Sequence, residues 1–229
     1  MIISIIVPVY NEEKTILKIL EKINAQKSNY DLEIIIYDDF SNDRTREILL
    51  NNKDLYNKII LGEKNFGKGY GIKQALSYVS GYVVIIQDAD LEYDPNDYSV
   101  LLPPILNNNA DIVLGSRFKG DKPQRVLYFS HRIANFIITL LVNFLTNINF
   151  SDVETGLKVF KTNTLKQLNL KENSFAIEIE MIMKIAKSKK KIYEVGISYN
   201  GRTYEEGKKI KLKDAFEAVI KVFKYKIFN

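Results

Sequence analysis

Tyr82-Val83-Val84-Ile85-Ile86-Gln87-Asp88-Ala89-Asp90 is an apolar run closed by two carboxylates one residue apart. The run reads as a buried strand, so the acids fall where it meets solvent at the edge of a sheet. Strand ends of α/β sheets are where ligands bind. Paired carboxylates offer hard oxygen atoms suited to Mg²⁺ or Mn²⁺, and such a cation can grip a diphosphate. Asp-x-Asp is also common in turns, so the weight of this pair depends on the rest of the chain.

Outward from it, apolar runs alternate with helix-like segments. Candidate strands are Ile2–Val9, Leu32–Tyr37, Lys58–Leu61, Tyr82–Gln87 and Asp111–Leu114. Candidate helices are Glu12–Asn24, Arg44–Asn51 and Gly71–Val79, the first with Ile16, Leu17, Leu20 and Ile23 at helical spacing. Strands apolar on both faces and alternating with helices predict a Rossmann-like α/β fold, with a mostly parallel sheet covered on both sides. Beyond Ser116 the pattern changes. A loop at Gly120-Asp121-Lys122-Pro123 precedes a long apolar helix over Arg132–Leu145, then a loop around Asp152. A helix near Glu178–Ser188, a strand at Ile192–Ile197 and a basic amphipathic helix over Leu212–Phe228 follow.

A chain of 229 residues with 46% hydrophobic and 27% charged content can bury a sizeable core, which argues against wholesale disorder and for one domain over 1–229. Without cysteine there are no disulfides or thiolate metal sites, which fits a reducing compartment. The lone histidine, His131, argues against a multi-histidine zinc site. A net charge of +5 suits nucleic acid, anionic lipid or phosphorylated substrates. Nothing matches a nucleic-acid module, and the basic residues concentrate late, so a membrane surface is the expected partner. The apolar start, Met1 to Tyr10, has no basic n-region or small-residue cleavage site and reads as a first core strand. The stretch from Ile133 to Phe150 is broken by Asn135, Asn143, Asn147 and Asn149, short of the roughly 20 apolar residues of a bilayer span.

Three loops sit at the ends of the early strands. Pro8-Val9-Tyr10-Asn11-Glu12-Glu13 also reads as a plain strand-to-helix turn with acids at the helix N-terminus. In Asp38-Asp39-Phe40-Ser41-Asn42-Asp43-Arg44-Thr45 the acids either cap the next helix or await a cation or ligand donor group. The glycines of Asn65-Phe66-Gly67-Lys68-Gly69-Tyr70-Gly71 allow close backbone approach to a phosphate, with Lys68 adding charge.

Taken in order with Asp88-Ala89-Asp90 and Gly115-Ser116-Arg117-Phe118, these loops resemble a family 2 glycosyltransferase of the GT-A fold, over nearly the whole chain. Glu154-Thr155-Gly156-Leu157-Lys158-Val159-Phe160, Phe175-Ala176-Ile177-Glu178-Ile179-Glu180 and Tyr199-Asn200-Gly201-Arg202 through Ile210 are similar to its polyprenyl-phosphate branch, which includes the dolichyl-phosphate mannose and glucose synthases. Phe40 replaces the usual glycine of the second loop, which would reshape the base pocket. The transmembrane helices carried by many relatives are not found here.

The resemblance implies that residues 1–118 bind a nucleotide-diphosphate sugar and residues 119–229 face the acceptor and membrane. Pro8, Tyr10, Glu12 and Asp39 would hold base and ribose, with Asp38 supporting them and Lys68 and Ala89 beside the diphosphate. Asp88 and Asp90 would bind Mg²⁺ or Mn²⁺, with Glu92 as a third oxygen ligand. Arg117, Arg132, Arg202 and Lys209 would meet the acceptor phosphate, and Asp90, Arg117 and Arg202 would carry the chemistry. The expected reaction is inverting, metal-dependent transfer of a hexose to a polyprenyl phosphate, such as undecaprenyl or dolichyl phosphate, by a protein peripheral on the cytoplasmic face of the membrane. A lipid phosphate is already ionised and needs no base. A diacylglycerol, glycolipid or saccharide hydroxyl acceptor would need one, for which Glu178 or Glu180 is the candidate. Two apart on a helix, these face different ways, so at most one enters the site. A non-catalytic nucleotide-sugar-binding protein is the remaining alternative.

Ile133, Phe136, Ile137, Leu140, Leu141, Phe144 and Leu145 recur at helical spacing. Phe216, Val219, Ile220, Phe223 and Ile227 do so beside Lys211, Lys213, Lys221, Lys224 and Lys226. Basic amphipathic helices with aromatics suit a membrane interface. The same stripes would serve a protein core or a homodimer contact.

Overall fold

The computed structural model describes residues 1–126, 128–209 and 212–227; Ile210, Lys211, Phe228 and the side chain of Lys213 lie outside the described residues. In chain order the elements are β1 (Ile3–Val9), α1 (Ile16–Ala25), β2 (Leu32–Asp38), α2 (Thr45–Asn51), β3 (Lys58–Leu61), α3 (Lys68–Leu76), β4 (Val83–Ile86), α4 (Tyr98–Leu101), α5 (Pro103–Leu106) and β5 (Ile112–Ser116). Then come α6 (Phe129–Thr146), β6 (Lys158–Lys161), α7 (Thr162–Gln167), α8 (Ile177–Lys187), β7 (Ile192–Gly196) and α9 (Leu212–Ile227).

The strands form one sheet in the order β3-β2-β1-β4-β6-β5-β7. β6 is antiparallel to β4 and β5, and the other pairings are parallel. β6 is the strand the sequence did not announce. Lys158 interrupts its short apolar run, and the buried ammonium is tolerated because Glu178 and the Thr155 carbonyl accept from it. The four-residue α4 and α5, around Pro103-Pro104, are too short for a helical period to be read.

In β4, Val84 and Ile86 enter the core layer of α3 and α8, while Val83 and Ile85 enter the layer of α1. That is the period-2 alternation of a strand covered on both faces. Each such side chain contributes roughly 1.5–3 kcal/mol by leaving water. Val9 stands beside Asp38 and Asp38 beside Leu61, while Ile6 stands beside Ile86. Residues 10–13, 38–43, 62–67 and 87–92 therefore leave the sheet along one edge. The winding direction reverses between β1 and β4, and a crevice opens there.

The C-terminal helices are turned inside out. α6 buries Asn135, Ile138, Thr139 and Val142, while Phe129, Phe136 and Phe144 point outward at 77%, 61% and 83% exposure. It has the length and apolarity of a bilayer-crossing helix, although the asparagines argued otherwise. Those interruptions are used inside the protein. Asn135 donates to Asp152, and Asn143 makes a reciprocal pair with the Phe150 backbone. α9 packs on α6 and α8 and turns Phe216, Ile220, Phe223 and Ile227 outward. Its lysines are less available than the sequence suggested. Lys221 and Lys224 both pair with Glu172, and Lys226 donates to the Leu145 carbonyl.

Candidate active site

The side chains expected to act together gather around one cavity of about 860 Å³ at that sheet edge. Pro8, Tyr10, Glu12, Asp39, Lys68, Asp88, Ala89, Asp90 and Glu92 line it from the end of β1, the loops after β1, β2 and β4 and the start of α3, and Arg117, Phe118, Arg132, Ala134 and Ile138 from the loop after β5 and from α6. Asp38 is not part of the lining. It is fully buried and ion-paired with Arg46 at 2.6 Å, which fixes the second loop from behind. Asp39 does face the cavity, and its two oxygens accept from the backbone N–H groups of Phe66 and Gly67 at 2.9 and 2.7 Å. Phe40 takes a left-handed φ of 65°, which explains why glycine suits this position, but its ring lies under Arg46 and does not line the cavity.

The glycine segment differs from expectation. α3 begins at Lys68, and the glycines admit protein rather than phosphate. A Cβ at Gly67 would stand 2.6 Å from the Asn173 carbonyl oxygen, and one at Gly69 2.5 Å from that of Glu172. Lys68, held at the start of this helix, bridges Asp88 at 2.6 Å and Glu178 at 2.8 Å. Burial alone would lower its pKa, but those carboxylates hold the ammonium above its ordinary range. Glu178 also pairs with Lys158. Burial would raise the Glu178 carboxyl, yet Lys158 and Lys68 hold it below the usual range, which makes it a poor proton acceptor. Glu180 points away, accepting from the backbone of Lys171 and Glu172. Only one of the two glutamates enters the site.

The loop after Tyr199 folds over the acidic end. The Arg202 guanidinium meets Glu12 at 3.0 Å and Asp90 at 2.9 Å, and Lys209 reaches Glu12 at 2.7 Å. Glu92, expected as a metal ligand, is turned to this loop. It accepts from the Arg202 backbone N–H at 2.9 Å and from the Tyr199 hydroxyl at 2.8 Å. Arg202 and Lys209, expected at the acceptor phosphate, thus sit on Glu12 and Asp90 instead. Asp90 is crowded: burial, then Glu92 and Asp88, push its carboxyl up to about 7.

After β5, Arg117 is held by Asp152, which receives its Nε and Nη2 at 2.7 Å each, its backbone N–H, and Asn135. Arg132 lies 3.9 Å from the Phe118 ring centroid and has no ion-pair partner among the described residues. His131 donates to, or accepts from, the Tyr204 hydroxyl at 2.8 Å, tying the start of α6 to the folded-over loop. Asp152, Glu154 and Tyr199 also shape the site and were not singled out. In the sequence Asp152 marks only a loop after the long apolar helix, and Glu154 and Tyr199 are only the first residues of two stretches that carry the resemblance.

Among the described residues, no group of three or more Asp, Glu, His or Cys side chains is placed to hold a metal ion alone. Asp88 and Asp90 nevertheless fit a hard divalent cation, because Mg²⁺ commonly takes one or two carboxylates and completes its shell with phosphate oxygens and water. The crowding that raises Asp90 is the charge imbalance such a cation relieves.

An acid-edged crevice at the switch point of a mostly parallel sheet, beside a single antiparallel strand, defines a GT-A glycosyltransferase. The chain belongs to Glycosyl transferase family 2, whose profile matches residues 4–168. It is 30% identical over 219 residues to the UDP-N-acetylglucosamine--dolichyl-phosphate N-acetylglucosaminyltransferase of Methanococcus voltae, covering 86% of this chain and 84% of that one. It is 27% identical over 242 residues to a dolichyl-phosphate beta-glucosyltransferase of Trichomonas vaginalis, covering 99% and 73%. The fold is shared with glucosyl-3-phosphoglycerate synthase from Mycobacterium tuberculosis, solved with Mn²⁺, UDP and phosphoglyceric acid, at a TM-score of 0.76 and 18% identity over 99% of this chain and 79% of that one.

Arg202→Ala is expected to lower kcat/KM by roughly 10²-fold, the scale of losing one preorganised charge donor. Arg202→Lys should recover little, because one ammonium cannot replace a planar fork that spans Glu12 and Asp90. Steady-state rates on both variants check this.

Proposed function

We propose that the enzyme transfers a hexose, with inversion, from a nucleotide-diphosphate sugar to a polyprenyl phosphate at a membrane surface. One observation carries the reading: a single cavity runs from the carboxylates of Asp39, Asp88 and Asp90 to the cations Arg117 and Arg132, beside the outward apolar face of α6. The dolichyl-phosphate relatives support the same acceptor class.

In this reading Pro8, Tyr10 and Asp39 flank the nucleoside. Asp88 and Asp90 hold Mg²⁺ or Mn²⁺ with the diphosphate, where a bound cation supplies Lewis-acid neutralisation of the departing charge. Lys68 balances Asp88 from the protein side. Arg202 and Lys209, which neutralise Glu12 and Asp90, are positioned to turn to phosphate oxygens when the sugar donor arrives. Arg132, without an ion-pair partner among the described residues, is placed for the acceptor phosphate. An ionised phosphate attacks the anomeric carbon without a base, which agrees with Glu178 being neutralised by two lysines. A hydroxyl acceptor would have to rely on Glu154, a cavity carboxylate with no hydrogen-bond or ion-pair partner among the described residues.

Incubation with labelled nucleotide hexoses, Mn²⁺ and undecaprenyl phosphate in vesicles should yield a labelled lipid; absence of product with UDP, GDP and dTDP donors alike would refute the reading. Membrane contact is expected through apolar side chains more than through charge, since Lys221 and Lys224 fold back onto Glu172. Phe136→Asp with Phe216→Asp should therefore reduce vesicle co-sedimentation at least tenfold, from about 1.5–3 kcal/mol for each ring. Added salt should have the smaller effect.

A further inference from the structure

Glu154 is a charged group of the cavity that the reaction above leaves without a task. It lines the cavity from the loop before β6, and its carboxylate has no hydrogen-bond or ion-pair partner among the described residues. The cations around it are engaged elsewhere, Arg117 by Asp152 and Lys158 by Glu178. Burial pushes its carboxyl up to about 7, with Arg117 opposing and Glu178 and Asp152 adding to the rise. A half-buried carboxylate that faces the cavity without a protein donor is open to a ligand group that can donate to it.

Its position says which ligand. Two residues on, Gly156 lies directly against Asp88: a Cβ there would stand 2.2 Å from Asp88 Oδ2. On the other flank is the Arg117–Asp152 pair. Glu154 thus stands between the carboxylates that face the leaving diphosphate and the cations that face the acceptor, where the sugar is handed over. Both substrates bring anions to their own ends, and anions do not relieve a carboxylate. The hydroxyls of the hexose do, because a carboxylate is acceptor-only and a hydroxyl donates without adding charge.

We propose that Glu154 accepts a hydrogen bond from a hydroxyl of the transferred hexose and thereby selects the sugar. This rests on the nucleotide-sugar reading above. It differs from a base role, because the bond forms to a hydroxyl that keeps its proton.

The test is calorimetric. UDP-glucose, UDP-N-acetylglucosamine, GDP-mannose and dTDP-glucose are titrated with Mn²⁺, each against its own nucleoside diphosphate, into the wild-type protein, Glu154→Ala and the isosteric Glu154→Gln. For the sugar nucleotide that wild-type protein binds, Glu154→Ala should weaken binding about 10- to 100-fold and leave the matching diphosphate unchanged. Glu154→Gln, which keeps an oxygen acceptor and the side-chain volume, should lose less. Equal weakening of both ligands, or none, overturns the proposal. Intact sugar-nucleotide binding with lost turnover also overturns it and assigns Glu154 to proton transfer. Failure of the wild-type protein to bind any of the four would instead remove the nucleotide-sugar reading and this inference with it.

Discussion

Asp90→Asn is expected to lower hexose transfer roughly a thousandfold while the protein stays folded. Asp90 sits 2.9 Å from Arg202 and is crowded by Glu92 and Asp88, so its charge persists only with cations against it. In the proposed reaction asparagine would remove one hard oxygen ligand where the departing diphosphate gathers charge. Lewis-acid assistance amounts to several kcal/mol, and each 1.36 kcal/mol is tenfold in rate, which sets the scale. Stability should move little, because the loosened contact to Arg202 is offset by relieved repulsion from the neighbouring carboxylates. Initial rates and melting temperature measured on one preparation check both halves. A loss below tenfold would show that Asp90 does not serve the leaving group.

The largest effect on stability is expected at Asp152. Its side chain is fully buried and receives Arg117 through three N–H groups and Asn135 through a fourth. Asp152→Asn leaves the Arg117 guanidinium desolvated without a counter-charge, a type of change that costs about 3–5 kcal/mol. For a domain of this size that corresponds to a fall in Tm of roughly 10 °C. The pH dependence has a definite sign. Burial would raise the Asp152 carboxyl, but Arg117 and Asn135 hold it below the usual range. Its contribution is therefore complete above the ordinary aspartate range and is lost as pH falls below it. The variant should lack that acid-limb loss, so the two Tm curves should converge in acid. Parallel curves would mean that the pair does not stabilise the fold through its charge.

Much of this architecture was legible before any coordinates. Runs such as Ile3–Val9 and Val83–Ile86 are apolar on both faces, and only a helix-covered sheet accommodates them. The strand-end acids could be assigned to one crevice because parallel strands put their C-terminal ends on one edge. Where sequence reasoning fell short, pairing between distant residues decided the outcome. Lys158 reads as a break in a strand until Glu178 is placed opposite it. Gly67 and Gly69 read as a phosphate cradle until the Glu172–Asn173 backbone is found against them. The lysines of α9 read as a cationic face until Glu172 gathers two of them. Glu92 reads as a metal ligand and Arg202 as an acceptor-phosphate cation, and their mutual contact depends on a loop joining residues about a hundred positions apart. No local pattern encodes that distance.

The central claim is that the acceptor attacks as a phosphate that needs no base. Its most direct measurement is product formation from one labelled nucleotide hexose with undecaprenyl phosphate, undecaprenol or diacylglycerol as acceptor, in identical vesicles. Labelled lipid is expected with the phosphate, and none above background with either alcohol. Equal or greater transfer to undecaprenol or diacylglycerol would contradict it.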